Sequence, residues 1–243
     1  MPGGKHMIRL YQFPPAYGLP SASPFCMKVE TWLRMTALPY QVMAGDPRKA
    51  PKGKLPYIED NGVRVADSHL ILGYLTEHYG VDPDAGLPAP QRALALAVIR
   101  MLEEHFYWVV LHGRWIDPQG WSMSRQVFFA AMPQPLRTLV PLLVQRQLRR
   151  DLRGHGMGRH EPPEIDALGI EDVDALAALL GNRAYFLGDQ PRTVDAVAHA
   201  FLAGVLAFPV DSPVKESVAG HDNLVAFVSR MNQRFYPADP TRP

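Results

Sequence analysis

The spacing of hydrophobic residues changes along this chain, and the changes mark out its architecture. From Ile8 to Phe13 apolar and polar positions alternate, the period of a strand. Pro14 to Ser23 is rich in turn formers and reads as a loop. From Pro24 the spacing becomes helical, with Phe25, Val29, Trp32 and Leu33 on one face. Ser23 suits the N-cap, and Pro24 falls where the first helical position tolerates proline. The helix is expected to end near Leu38-Pro39, with Tyr40 to Val42 returning to strand. Tyr57–Asp60 and Val63–Ala66 flank Asn61-Gly62, a strong signal for a two-residue hairpin turn. Asp67-Ser68 opens a second helix, and its pattern puts Leu70, Ile71, Tyr74 and Leu75 on one face. Strand, helix, strand, hairpin, helix predicts a parallel crossover with an antiparallel hairpin attached.

Val81 to Gln91 carries Pro83, Gly86, Pro88 and Pro90 and reads as a linker. Beyond it the spacing is helical. Leu94, Val98, Met101, Leu102 and Phe106 form one stripe, and further helices are predicted over 127–153, 172–180, 194–208 and 224–235. The pattern therefore predicts a small α/β domain over 1–81 and an all-helical domain over 91–243.

Composition narrows the function classes. The 243 residues can bury a sizeable core, and 47% hydrophobic with 20% charged is ordinary for a folded protein. A net charge of +1 gives no reason to expect a nucleic-acid partner. Cys26 is the one cysteine, so no intrachain disulfide is possible and a reducing, cytoplasmic setting is expected. Met1 to Met7 lacks the apolar core of a signal sequence. The most apolar window, Thr193 to Val210, holds Asp195 and His199 and reads as a buried helix rather than a membrane span. His155 and His160 have no metalloenzyme spacing, so no metal is expected. Arg146, Arg149, Arg150 and Arg153 read as a solvated face. Trp108, Trp115, Trp121, Phe128 and Phe129 form an aromatic region that either shapes an apolar pocket or packs helices together.

Three short segments carry candidate chemistry. Ser23-Pro-Phe-Cys26 opens the first helix, whose N-terminal amides favour a thiolate placed there. The spacing is that of Cys-x-x-Cys with serine first, so a dithiol cycle within the motif is excluded. Either Ser23 is a plain cap and Cys26 a buried small hydrophobe, or Ser23 donates a hydrogen bond to a bound thiol. Leu55-Pro56 precedes a hairpin strand; it is either an ordinary proline or a turn that aims the Leu55 amide at a peptide ligand. Asp67-Ser68 is either a helix cap or a receptor for the amine and carboxylate of an amino-acid head group.

In this order the segments resemble the glutathione-binding half of the glutathione transferases, a thioredoxin-like domain followed by a helical one. Lys52-Gly-Lys-Leu-Pro56, the Asn61-Gly62 hairpin and Asp67 to Leu75 are similar to that family throughout. Leu19 to Arg34, Gly156 to His160 with Glu164-Ile165, and Leu180 to Gly188 leading to Asp195-Ala196 resemble its failed-axon-connections and metaxin-like branch. The resemblance implies that Ser23 activates the thiol, that Leu55 and Pro56, with a cis bond, hold the cysteinyl backbone, and that Asp67 and Ser68 hold the γ-glutamyl end. Lys54, or else Lys52, is the candidate for the glycyl carboxylate. Tyr11, Tyr17 and Cys26 are alternative groups near the thiol, and Arg159 and His160 match a branch signature that would line the site. One departure stands out: Arg192 replaces the family's Ser/Thr three before Asp195, and Thr193 is expected to cap instead. The implied activity is attack of glutathione on a small apolar electrophile, by a homodimer. The rival implication is a non-enzymatic binding or scaffold protein of the metaxin-like type. A thiol oxidoreductase using Cys26 is a third.

Overall fold

A computed structural model describes residues 7–237; residues 1–6, most of the stretch read for a signal sequence, and 238–243 lie outside it. Strand β1 (Ile8–Gln12) is central in a four-stranded sheet of order β2-β1-β3-β4. It runs parallel to β2 (Tyr40–Ala44), with Leu10 opposite Val42, and antiparallel to β3 (Tyr57–Asp60). β4 (Val63–Ala66) closes the hairpin, where Asn61 and Gly62 both take the positive φ such a turn requires, 49° and 82°.

Helix α1 (Pro24–Met35) crosses from β1 to β2, and α2 (Ser68–Tyr79) follows the hairpin. Ile8, Leu10 and Ile58 from the sheet pack against Val29, Trp32 and Leu33 of α1 and Ile71, Leu72 and Leu75 of α2. The face of α2 differs from the expected one. Leu70 is 50% exposed, while Ser68, Ile71, Leu72 and Leu75 are buried at i, i+3, i+4 and i+7. Ser68 turns inward because a buried lysine holds its hydroxyl, which rotates the apolar stripe by one position.

The rest of the chain is helical. α3 (Ala89–Arg100) continues through a π-helical segment, Met101–Phe106, into α4 (Tyr107–Trp115). α5 (Pro118–Phe129), α6 (Leu136–His155), α7 (Pro162–Leu180), α8 (Thr193–Ala207), α9 (Pro213–Gly220) and α10 (Asp222–Phe235) follow. The single helix expected over 127–153 is broken between α5 and α6. Pro133 and Pro135 lie in the break, and each disfavours helical geometry in the residue before it. α7 starts well before the expected residue 172, because Glu164 accepts from the Glu161 amide at 2.8 Å and Pro162 takes the first helical position. α8 is buried on nearly every side and packs against α1, joining the two halves.

The start of α8 corrects another expectation, since Arg192 rather than Thr193 is the N-cap residue. A guanidinium cannot accept a hydrogen bond, so the capping is divided. Asp195 accepts from the Arg192 amide at 2.7 Å and the Phe186 amide at 2.8 Å. The Thr193 amide is capped from the linker by Asp84, at 2.9 Å. Among the described residues no helix is long and apolar enough to cross a membrane.

Candidate functional site

Ser23 caps α1 from an extended conformation, φ −89° and ψ 122°. Its Oγ accepts from the Cys26 amide at 3.4 Å, and its amide donates to Ser21 Oγ at 3.3 Å. The hydroxyl also lies within hydrogen-bond reach of the Cys26 sulfur, at a half-buried position where the helix adds partial positive charge.

Cys26 is different from what a helix N-terminus alone predicts. It is 0% exposed, and burial pushes its thiol up to about 11, against the opposing pull of the Phe13 amide and the Ser23 and Ser21 hydroxyls. The charge-stabilising amides lose to desolvation, so Cys26 is a protonated core residue at neutral pH.

The two tyrosines are anchored by their rings. Tyr11 stacks on Tyr57, its partner across the β1–β3 ladder, with centroids 4.3 Å apart. Tyr17, at a φ of 55°, turns its ring edge-on to Phe208 at 5.2 Å. Its hydroxyl is buried near Ser124 and Arg114 without a hydrogen bond of ordinary geometry, and burial raises its pKa.

Leu55-Pro56 is a cis peptide at the entry to β3. Leu55 is buried against Gly45, where a Cβ would come within 2.6 Å of its side chain. Asp67, not Ser68, caps α2: its Oδ1 accepts from the His69 amide at 3.0 Å and the Leu70 amide at 3.4 Å. Its φ of 88° is rare for a residue with a Cβ. Burial works to raise the Asp67 carboxyl, but those amides and the Lys54 and Lys52 charges outweigh it and hold it below the ordinary value. Lys54 Nζ lies 3.5 Å from Asp67 Oδ2. Ser68 is buried, and its Oγ accepts from Lys28 Nζ at 3.2 Å. Lys28 in turn meets Glu103 Oε1 at 2.5 Å. Glu103 projects from the π-helical segment, so this contact ties α1 and the start of α2 to the helical region.

Ser23, Leu55-Pro56 and Asp67-Ser68 are thus the ends of secondary elements within one α/β unit, while Arg159 and His160 are held in the α6–α7 corner. Arg159 Nε donates to the Arg153 carbonyl at 3.1 Å, and His160 pairs with Glu164 at 3.6 Å. Both are exposed. The aromatic region resolves mainly into helix packing: Trp115 meets Phe128 at 5.2 Å and both Trp121 and Phe129 within 6.3 Å. Phe13 meets Phe128 at 6.2 Å, which brings α5 beside the loop that leads to Ser23. Sequence reasoning missed Lys28, Glu103 and Arg114. Their partners are remote in the chain, and no short-range pattern marks them.

The site thus sits on a thioredoxin-like unit with a cis-proline entry strand, joined to a helical bundle. A model of the glutathione S-transferase N-terminal domain matches residues 24–120, and one of the C-terminal domain matches residues 169–231. The chain is 35% identical to failed axon connections of Drosophila melanogaster, over 96% of this chain and 59% of that protein. It is 32% identical to the isoprene-epoxide–glutathione S-transferase of Rhodococcus sp. (strain AD45), over 94% of this chain and 99% of that protein. Metaxin-1 of Macaca fascicularis is 30% identical, over 96% and 76%. A glutathione S-transferase from Methylobacterium radiotolerans, solved with glutathione sulfonate, superposes with a TM-score of 0.59 at 20% identity, covering 98% of each chain. The chain belongs to the glutathione transferase superfamily, in the branch that holds failed axon connections and the metaxins.

Proposed function

We propose that this protein is a glutathione transferase in which Ser23 activates the thiol for attack on a small apolar electrophile. The observation that carries the reading is the Ser23 hydroxyl. It accepts from the Cys26 amide at the N-terminus of α1, and its proton, within reach of the protonated Cys26 sulfur, can turn to a bound thiolate. The relative from Rhodococcus, matched over 99% of its length, supports an epoxide as the electrophile to try first.

In this reading the γ-glutamyl ammonium meets Asp67, whose carboxyl is held ionised, and its carboxylate meets the Ser68 hydroxyl. The Leu55 backbone receives the cysteinyl unit. Lys54 is left to Asp67 rather than to the glycyl carboxylate. A free thiol titrates near 8.5, so at neutral pH thiolate must be favoured by the site. The Ser23 O–H and the α1 amides do this. The sulfur lone pair then forms an S–C bond, the epoxide C–O bond breaks, and the alkoxide takes a proton from water. The protein itself forms no covalent intermediate. A thiol co-substrate and a buried, unpaired cysteine suit a reducing compartment such as the cytoplasm. Exposed Val63, Leu70, Leu94 and Leu96, on β4, α2 and α3, offer apolar surface to a second copy, which sedimentation velocity tests.

Calorimetric titration with glutathione, followed by turnover of a small epoxide, is the direct test. Ser23→Ala should bind glutathione about as well and lose on the order of 100-fold in kcat. No binding at millimolar glutathione rejects the reading. That result would favour the second one, a non-enzymatic scaffold, which the 35% identity to failed axon connections supports.

A further inference from the structure

Directly behind the Ser23 loop the helical region carries a cation. Arg114, on α4, is 8% exposed. Its Nη1 donates to the Ala22 carbonyl at 2.8 Å and its Nη2 to the Gly204 carbonyl of α8 at 2.6 Å. The guanidinium also lies 5.2 Å from the centre of the Phe208 ring. Among the described residues no carboxylate pairs with it, and the titratable groups that face it are the Tyr17 and Tyr107 phenols. Burial raises both phenols, so they stay neutral. Burial also lowers Arg114 to about 10, which still leaves it charged at neutral pH.

The cation is rigidly mounted. Ser124 Oγ of α5 donates to the Arg114 carbonyl at 2.8 Å. One turn earlier α5 meets α4 backbone to backbone, since a Cβ at Gly120 would sit 1.8 Å from the Gly113 carbonyl. Buried charges are ordinarily paired, because desolvation of a lone ion costs several kcal/mol. Carbonyl dipoles offset part of this cost and leave the net charge uncompensated. Ala22 directly precedes Ser23, so the carbonyl that the guanidinium holds belongs to the peptide bond that joins Ser23. On the thiol side the facing groups are Cys26, which is protonated, and Glu30, whose carboxylate is engaged by Arg34 at 2.9 Å.

We propose that Arg114 is a positioning residue of the thiol site, holding the Ala22 carbonyl so that Ser23 presents its hydroxyl, with its charge balanced by the thiolate of bound glutathione. This rests on the glutathione reading of the Ser23 end of α1.

The test follows the ultraviolet absorbance of the thiolate as bound glutathione is titrated, in the wild type, Arg114→Gln and Arg114→Lys. Arg114→Gln keeps a donor for a carbonyl and removes the charge. It should raise the bound thiol's pKa by about one unit and lower kcat at neutral pH about tenfold, with glutathione affinity changed less than about threefold. Arg114→Lys should keep most of the wild-type thiol pKa. Equal behaviour of the two variants, or an unchanged pKa in Arg114→Gln, overturns the charge-balance role. Bound glutathione that titrates like free glutathione in the wild type sinks the underlying reading instead. Should the variants not fold, the Arg114 Nε–Hε resonance of the wild type decides. It should shift with glutathione and stay in place with S-methylglutathione, which has no thiolate. The same response to both ligands overturns the proposal.

Discussion

Lys28 and Arg114 are both buried cations at the contact between the α/β unit and the helical region, and the protein treats them in opposite ways. The Lys28 side chain is 1% exposed and meets a full carboxylate, Glu103, at 2.5 Å, with the Ser68 hydroxyl as second acceptor. Burial lowers its pKa, and Glu103 opposes that effect. Arg114 meets only carbonyl oxygens and a ring face. The first cation is compensated within the fold and fixes how α1, the π-helical segment and the start of α2 lie together. The second is left open beside the one helix N-terminus where a thiolate is proposed. His199 takes a third course. It stays neutral in the core of α8, hydrogen-bonded to Asn232 at 2.8 Å. The lesson is that a buried titratable group is scaffold when the fold supplies its counterpart, or when it sheds its charge. A retained charge without a counterpart points to a ligand.

Removing the counterpart of Lys28 should give the largest effect. Glu103→Ala strands an ammonium in the interface and should cost about 3–5 kcal/mol in urea unfolding. The double variant Lys28→Met, Glu103→Leu should recover most of that loss, because it removes both charges and keeps the volume. A cost below about 1 kcal/mol for Glu103→Ala would mean that Lys28 is not a compensated buried charge, and the contrast with Arg114 would collapse.

His199 offers the next largest effect and separates neutrality from pairing. Burial lowers its pKa from 6.5 to about 4. The folded state therefore binds its proton less readily than the unfolded state. The contribution to stability is fully present above pH 6.5 and is lost as pH falls toward 4. Each pH unit in that window is worth about 1.4 kcal/mol, so the loss reaches about 3 kcal/mol. His199→Gln should flatten this part of the acid limb in urea titrations between neutral and mildly acid pH. Asp195, one turn away, works in the opposite sense: burial raises it to about 7, so its ionisation weakens the fold as pH rises toward that value. A His199→Gln protein whose stability still falls through the same window would show that His199 is not held neutral.

These contrasts also explain what was legible in the chain. The α/β unit was readable because its signals are local. Ser23-Pro24 caps α1, Asn61-Gly62 turns the hairpin, and Asp67 opens α2 within a few residues of the groups it bonds. Leu70 was misplaced because the stripe of α2 is set by Ser68 bonding to Lys28, 40 residues away. The cap of α8 was unreadable for the same reason: Asp84 reaches the Thr193 amide across 109 residues. Ser23, Leu55-Pro56 and Asp67-Ser68 were found as motifs. Arg114 was not, because its partners Ala22 and Gly204 lie 92 and 90 residues away, and both offer carbonyls that carry no sequence identity. The full burial of Cys26, one turn into α1, agrees with its reading as a small buried hydrophobe rather than a reactive thiol.

The smallest expected effect lies where the compensated cation touches the proposed glutathione site. Ser68→Ala removes one acceptor from Lys28 but leaves Glu103 in place, so stability should fall by only about 1 kcal/mol. The same hydroxyl has its proton free, because it accepts rather than donates toward Lys28. If that proton meets the γ-glutamyl carboxylate, Ser68→Ala should also weaken glutathione binding about tenfold, while leaving the bound thiol's pKa where it was. Calorimetry and the thiolate titration together read both consequences. A stability loss without a loss of affinity would assign Ser68 wholly to the Lys28–Glu103 scaffold. A shift in the thiol's pKa would mean that the paired cation reaches the sulfur as well, and Arg114 would lose its distinction as the charge left open for a ligand.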